Sequence, residues 1–201
     1  MADKYPNFRI LARHERAGVD YRFVLRLGLP ALAVVTPHGG GIEPGTSEVA
    51  DAVAGEDLSF YAFEGLKAKD NGDLHITSTR FDEPTCLALL KSSTTVLTIH
   101  GEHSEADGEG VFVGGRDAAQ GRRLGAALRA KGFVVARHAD PNLQGLEPAN
   151  LCNRGQSGQG VQLELSRAVR LTMFESLSRR GRTRPTARFR AFVAALRGVL
   201  V

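Results

Sequence analysis

Apolar residues along this chain gather in short runs of strand length, separated by stretches whose apolar positions recur at helical spacing. Runs at 32–35, 58–63, 74–77, 95–99, 111–113, 133–136 and 161–165 predict strands. Helices are predicted at 47–54, after Pro44 and Gly45, and from Pro84 into CLALLK, where proline's fixed φ suits a first turn. A longer helix is expected over 117–130, stopping at Gly132, and a last one where Phe189, Phe192, Val193 and Leu196 fall on one face. Strands that are apolar throughout and alternate with helices predict an α/β chain. Its sheet should be mixed, largely parallel and open, with helices on both faces.

No repeat or low-complexity tract divides the sequence, so one domain over residues 1–201 is expected, with RRGRTRP as a loose connection to the final helix. The segment DPNLQGLEPANLCNRGQSGQG is different: long, polar and glycine-rich between two strands, where connections are usually short. Loops of that kind carry function.

Composition narrows the class. No apolar stretch reaches the roughly 18 residues needed to span a bilayer, and the charged start MADKYPNFRILARHERAG lacks an apolar export core, so a cytoplasmic protein without a membrane partner is expected. Cys86 and Cys152 lack the close spacing of a zinc knuckle or redox pair and read as small buried hydrophobes. The net charge of +4 comes largely from Arg179, Arg180, Arg182, Arg184, Arg188 and Arg190. A polyanion would be drawn there. The segment lacks interleaved aromatics, which argues against nucleic acid and for a solvated helix face; a nucleic-acid-binding protein is nevertheless the competing class.

The stretch VVTPHGGGIEPGTSE admits two chemistries. An apolar strand followed by His-Gly-Gly-Gly is an esterase oxyanion-hole signature, but it needs a Gly-x-Ser-x-Gly elbow, and the nearest approach is Gly155-Gln156-Ser157-Gly158-Gln159. The alternative is a metal. His38 lies just past one buried strand and His100 closes another, the place where open α/β sheets bind ligands. Glu43 follows His38 after four residues, across glycines that let the chain turn back, and His-His-Glu is a common catalytic zinc set. His103 is an alternative to His100, while His75 in DLHITST reads first as a structural residue that could face the same cleft.

In GVQLELS, Gln162 and Glu164 alternate with Val161, Leu163 and Leu165, so a carboxylate sits on a buried strand. It needs a cationic partner or a proton-handling task. Asn153 and Arg154 in NLCNRG are candidates for holding substrate, the guanidinium being suited to clamp a carboxylate or to pair with Glu164.

Taken in order, PHGGGIEPGTSEVA, FYAFEGLK, DLHITSTRFDEP, IHG, FVGGRD, NLCNRG and GVQLELS resemble the phage-type poly-γ-glutamate hydrolase family, also labelled phage-related replication protein. The likeness runs from about Val34 to Ser166. It implies a zinc carboxypeptidase-like fold and hydrolysis of γ-glutamyl amides, in a polymer or a small acidic peptide-like substrate, with one zinc ion. It also implies His38, Glu43 and His100 as zinc ligands, Glu164 as general base and Arg154 as a substrate-carboxylate contact.

Overall fold

A computed structural model describes residues 3–102 and 108–201. Strands β1 (Tyr21–Arg26), β2 (Leu29–Gly40), β3 (Leu58–Gly65), β4 (Thr95–Gly101), β5 (Val111–Gly114), β6 (Val135–Ala136) and β7 (Val161–Leu165) form one open sheet in the order β1-β3-β2-β4-β7-β5-β6. Pairs β2–β3, β2–β4, β4–β7 and β5–β6 are parallel; β1–β3 and β5–β7 are antiparallel. The mixed, largely parallel α/β sheet expected from the sequence is therefore present.

Helices α1 (Phe8–His14), α2 (Thr46–Ala54), α3 (Pro84–Ser92), α4 (Ala118–Ala130), α5 (Arg167–Met173) and α6 (Ala187–Leu200) flank it. Side chains alternate across the strands, which divides the core in two. Val34, Leu97, Ile99, Leu163 and Leu165 pack with α2, α4 and α6 residues such as Val53, Leu124 and Phe192. Ala33, Val35, Val96 and Phe63 pack on the other face with Leu11 of α1 and Leu89 of α3. Local chemistry sets the helix starts: Glu83 accepts from the Thr85 and Cys86 amides ahead of α3, and Ser166 and Thr186 cap α5 and α6.

Some expectations fail. The run 74–77 is not a strand; Asn71–Leu74 is a 3-10 turn leading into an irregular segment, and β6 shrinks to two residues. Strand β1 and helices α1 and α5 carry no strong periodicity and go unread. RRGRTRP is not loose: Arg182 is buried, donating to the Glu48 carboxylate and the Leu177 carbonyl. Both cysteines are free and buried, as expected. No helix among the described residues is long and apolar enough to cross a membrane.

Candidate metal centre

Strict alternation along β2 would put His38 on the same face as Val34, away from β4's histidine. It does not sit there. Thr36 pairs with Ala62 and Gly39 with Glu64, so three steps along β2 match two along β3. That bulge reverses the alternation and turns the imidazole toward the face that carries His100 and Glu164.

Beyond His38 the chain folds back on itself. Gly40 has φ +64°, and a β-carbon there would lie 2.6 Å from the Gly65 carbonyl oxygen. A β-carbon on Gly39 would collide with the Ser47 hydroxyl, which accepts a bond from the Gly40 amide. The Glu43 amide then donates to the His38 carbonyl at 2.8 Å, closing the turn and bringing carboxylate to imidazole.

The result is a buried cluster. His38 Nδ1 lies 3.0 Å from Glu43 Oε1 and 3.1 Å from His100 Nδ1, and His100 Nδ1 lies 3.9 Å from Glu43 Oε2. The three residues singled out in the sequence thus converge. His75 joins them, against its reading as a structural residue: its ring stacks on His38 with centroids 4.0 Å apart, and Nε2 is 4.0 Å from Glu43 Oε1. Ligand atoms of His38, Glu43 and His75 all fall within 4.8 Å of one another. His103 lies outside the described residues.

Each imidazole is held from behind. A carbonyl only accepts, so His38 Nε2 donates to Ile76 O at 2.8 Å and Nδ1 of the neutral ring is a bare lone pair. Asp3 takes His75 Nδ1 at 2.7 Å, and Ser78 Oγ is 3.3 Å from His100 Nε2. Outer partners on the far nitrogens are what metal-ligating histidines use to fix tautomer and direction. Of these partners, Ile76 and Ser78 lie within the DLHITST motif itself, whereas Asp3, 72 residues from His75, carries no sequence signal.

A lone pair facing a carboxylate oxygen and a second ring nitrogen calls for a cation between them. Without a metal, a proton fills that need. Burial works against a charged His38, but Glu43 outweighs it and raises its pKa. Burial would likewise raise Glu43, yet His38, His100 and the Gly101 amide hold it down to about 2. The charge on His38, then burial, brings His75 to about 4, and burial with the His38 charge brings His100 to about 3. Two of the three imidazoles are therefore neutral at pH 7, the protonation state that binds metal.

Glu164 stands opposite His100 in the β4–β7 register and is buried. Burial, Glu43 and Glu102 push its carboxyl pKa well above the ordinary value. Gln162 donates to Oε1 at 2.9 Å. Arg170, 1% exposed, works against that rise and donates to the carbonyls of Leu165, Pro44 and Glu102. The sequence carries no sign of it, because the segment lacks strong periodicity and the three acceptors come from separate parts of the chain.

The remaining candidates lie differently. Arg154 is half-buried, with Nη1 donating to Phe81 O at 3.1 Å, and no ion pair among the described residues joins it to Glu164. Asn153 is spent on its own loop: its amide donates to Gly145 O and Glu147 O and accepts from the Arg116 and Gly160 amides. Ser157, the nearest approach to a nucleophile elbow, is exposed and bonds to Gln159 O.

Comparison with known proteins gives a consistent set. The sequence profile of a family described as poly-gamma-glutamate hydrolase matches residues 5–195. UPF0714 protein YmaC of Bacillus subtilis (strain 168) is 37% identical over 201 residues, covering 98% of this chain and 84% of its own length. UPF0714 protein YndL of the same strain is 40% identical over 182 residues, covering 90% and 70%. The structure of a bacteriophage poly-gamma-glutamate hydrolase superposes with a TM-score of 0.95 at 33% identity, covering 99% of this chain and 97% of that one. A zinc-free apo structure of YndL gives 0.92 at 36% identity, covering 99% and 98%.

Proposed function

The chain belongs to the poly-gamma-glutamate hydrolase family, and from that premise we propose that it is a zinc-dependent amidohydrolase cleaving γ-glutamyl amide bonds. The observation that carries the metal reading is the convergence of His38 Nδ1, His100 Nδ1 and the Glu43 carboxylate, each imidazole being braced on its far side. The donor set suits zinc. Bonds of about 2.0–2.1 Å in a tetrahedron place neighbouring ligand atoms roughly 3.3 Å apart. The 3.0 and 3.1 Å spacings about His38 fall just inside that value.

We assign His38, Glu43 and His100 as the residues that hold the ion. The His38 and His100 planes cross at 65°, which lets nitrogens converge, whereas His75 lies at 30° to His38, nearly face to face, with its nitrogens alongside. His75, positioned by Asp3, stands beside them with 29% of its side chain exposed. Bound zinc supplies Lewis acidity and lowers the pKa of water to about 7.

Glu164 is the proton carrier. With Oε1 fixed by Gln162, Oε2 is the atom that takes the proton from water and returns it to the departing amine nitrogen. Its neighbours Glu43 and Glu102 favour the protonated form, the form required for the second half of that exchange. Arg170 ties together the ends of β4 and β7 and the Pro44 turn, which fixes Glu43 and Glu164 relative to one another. We assign Arg154 to the substrate carboxylate, with Asn153 holding the loop that carries it. The test is hydrolysis of γ- and α-linked glutamyl polymers with and without a chelator. Cutting of the γ-linked polymer alone, lost on chelation and restored by zinc, is expected; chelator-insensitive cutting would overturn the zinc assignment.

A further inference from the structure

A cavity of about 600 Å³ lies outside the histidine cluster, between α4 and the β5–β6 edge of the sheet. Its floor is apolar, with Val113, Val135 and Leu146, and Arg116, Arg122, Arg129 and Arg137 surround it. Asp117 is the acid among its lining residues, and its carboxylate is occupied in accepting the Gln120 amide at the start of α4. Arg129 donates to the Val135 carbonyl, whereas the guanidinium groups of Arg116, Arg122 and Arg137 have no acidic partner among the described residues. Four cations around one hollow repel one another unless an anion joins them.

The helix above the hollow is built to leave it open. Gly121 and Gly125 lie one turn apart inside α4, where each glycine costs about 1 kcal/mol relative to alanine. Close packing explains the first, because a β-carbon on Gly121 would press to 3.2 Å from Val113 Cγ1. It does not explain the second: a β-carbon on Gly125 would meet Arg129 Nη1 at 3.4 Å and Val135 Cγ1 at 3.5 Å, ordinary contacts.

The hollow lies on the α4 face of the sheet, where Val113 stands opposite Leu163, and the histidine cluster lies on the other face. Phe112 stands opposite Glu164 in the β5–β7 register, the Phe112 and His138 rings are 4.7 Å apart, and Arg137 precedes His138. β5 is one strand from β7 and next to the edge strand β6, so a chain reaching both the hollow and the histidine cluster rounds that edge of the sheet. We propose that this cavity is a second carboxylate-binding site, which grips the γ-glutamyl polymer a few residues away from the bond being cut. This rests on the hydrolase reading above and extends it to substrate length. Polycarboxylate fits better than a small anion because the cations are spread around the rim rather than focused on one point.

The test measures binding of a fluorescent γ-linked glutamate oligomer of about ten residues to zinc-loaded Glu164→Gln protein. Replacing Arg116, Arg122 and Arg137 together by Gln is expected to weaken binding at least tenfold, with hydrolysis of the shortest cleavable oligomer in the active background changed less than twofold. A charge-matched control, Arg9, Arg13 and Arg180 to Gln, lies elsewhere and is expected to change binding less than twofold. Gly125→Leu fills the hollow without altering charge and is expected to weaken binding as well. Equal effects of triple variant and control, or no effect of either, overturn the proposal, as does single-stranded DNA of equal charge displacing the oligomer and binding more tightly at the same salt. A wild type that cuts no γ-glutamyl polymer removes the hydrolase reading while leaving the binding comparison decisive; an active enzyme whose triple variant binds normally removes only the second site.

Discussion

His100 and Glu164 are cross-strand partners, directly opposite in the parallel β4–β7 pair and pointing to the same face of the sheet. The imidazole proposed to hold zinc and the carboxylate proposed to carry the proton are thus set side by side by backbone register, not by a loop. Glu164→Gln keeps the Gln162 contact and the fold. It should retain zinc by metal analysis and lose at least about a hundredfold in turnover. Turnover near normal would remove Glu164 from the role of base.

The same carboxyl makes stability depend on pH in chelated protein. Its folded pKa is raised by burial and by Glu43 and Glu102, so its contribution is fully present below the ordinary value of 4.5 and is lost as pH rises toward the folded pKa. Chelated Glu164→Gln should therefore melt higher than chelated wild type at pH 7, with the gap closing toward pH 4. At this chain length 1 kcal/mol corresponds to about 2–4 °C, which calorimetry resolves. A gap that widens on acidification would contradict the burial account.

Zinc content separates the histidines. His38→Ala and His100→Ala should each lose the roughly one zinc per chain expected of the wild type. His75→Ala should keep it, because its ring lies nearly face to face with His38, at 30°, with its nitrogens alongside. Retention in His100→Ala with loss in His75→Ala would exchange their roles.

Arg170→Met should destabilise strongly. It removes the guanidinium that bonds the carbonyls of Pro44 and Glu102 and one of the two donors to Leu165 O, which keeps the Glu102 amide, and each buried acceptor left short costs about 1–3 kcal/mol. A loss of at least about 3 kcal/mol in denaturant unfolding is expected, with Arg170→Lys recovering only part, since one ammonium does not reproduce the fork. A loss below about 1 kcal/mol would show that water reaches these carbonyls.

Much of the architecture was legible because its interior strands are apolar throughout; β7 falls on residues 161–165 as expected, and Pro84 opens α3. The convergence of His38, Glu43 and His100 was legible because the two histidines both end buried strands. His75 was not: it sits on an irregular segment whose course is fixed by contacts with Asp3, 72 residues away. Arg170 was hidden for a related reason, since its three acceptors come from three separate segments. Local pattern reports local structure, and these two residues owe their positions to distant parts of the chain.

The irregularity between Thr36 and Gly39 makes the spacing of the motif matter as much as its letters. Loss of Pro37 from that stretch would leave every histidine in the sequence and swing the His38 imidazole to the opposite side of the sheet. Inactive descendants of this lineage are then to be recognised by a one-residue gap ahead of the triple glycine as readily as by a substituted ligand.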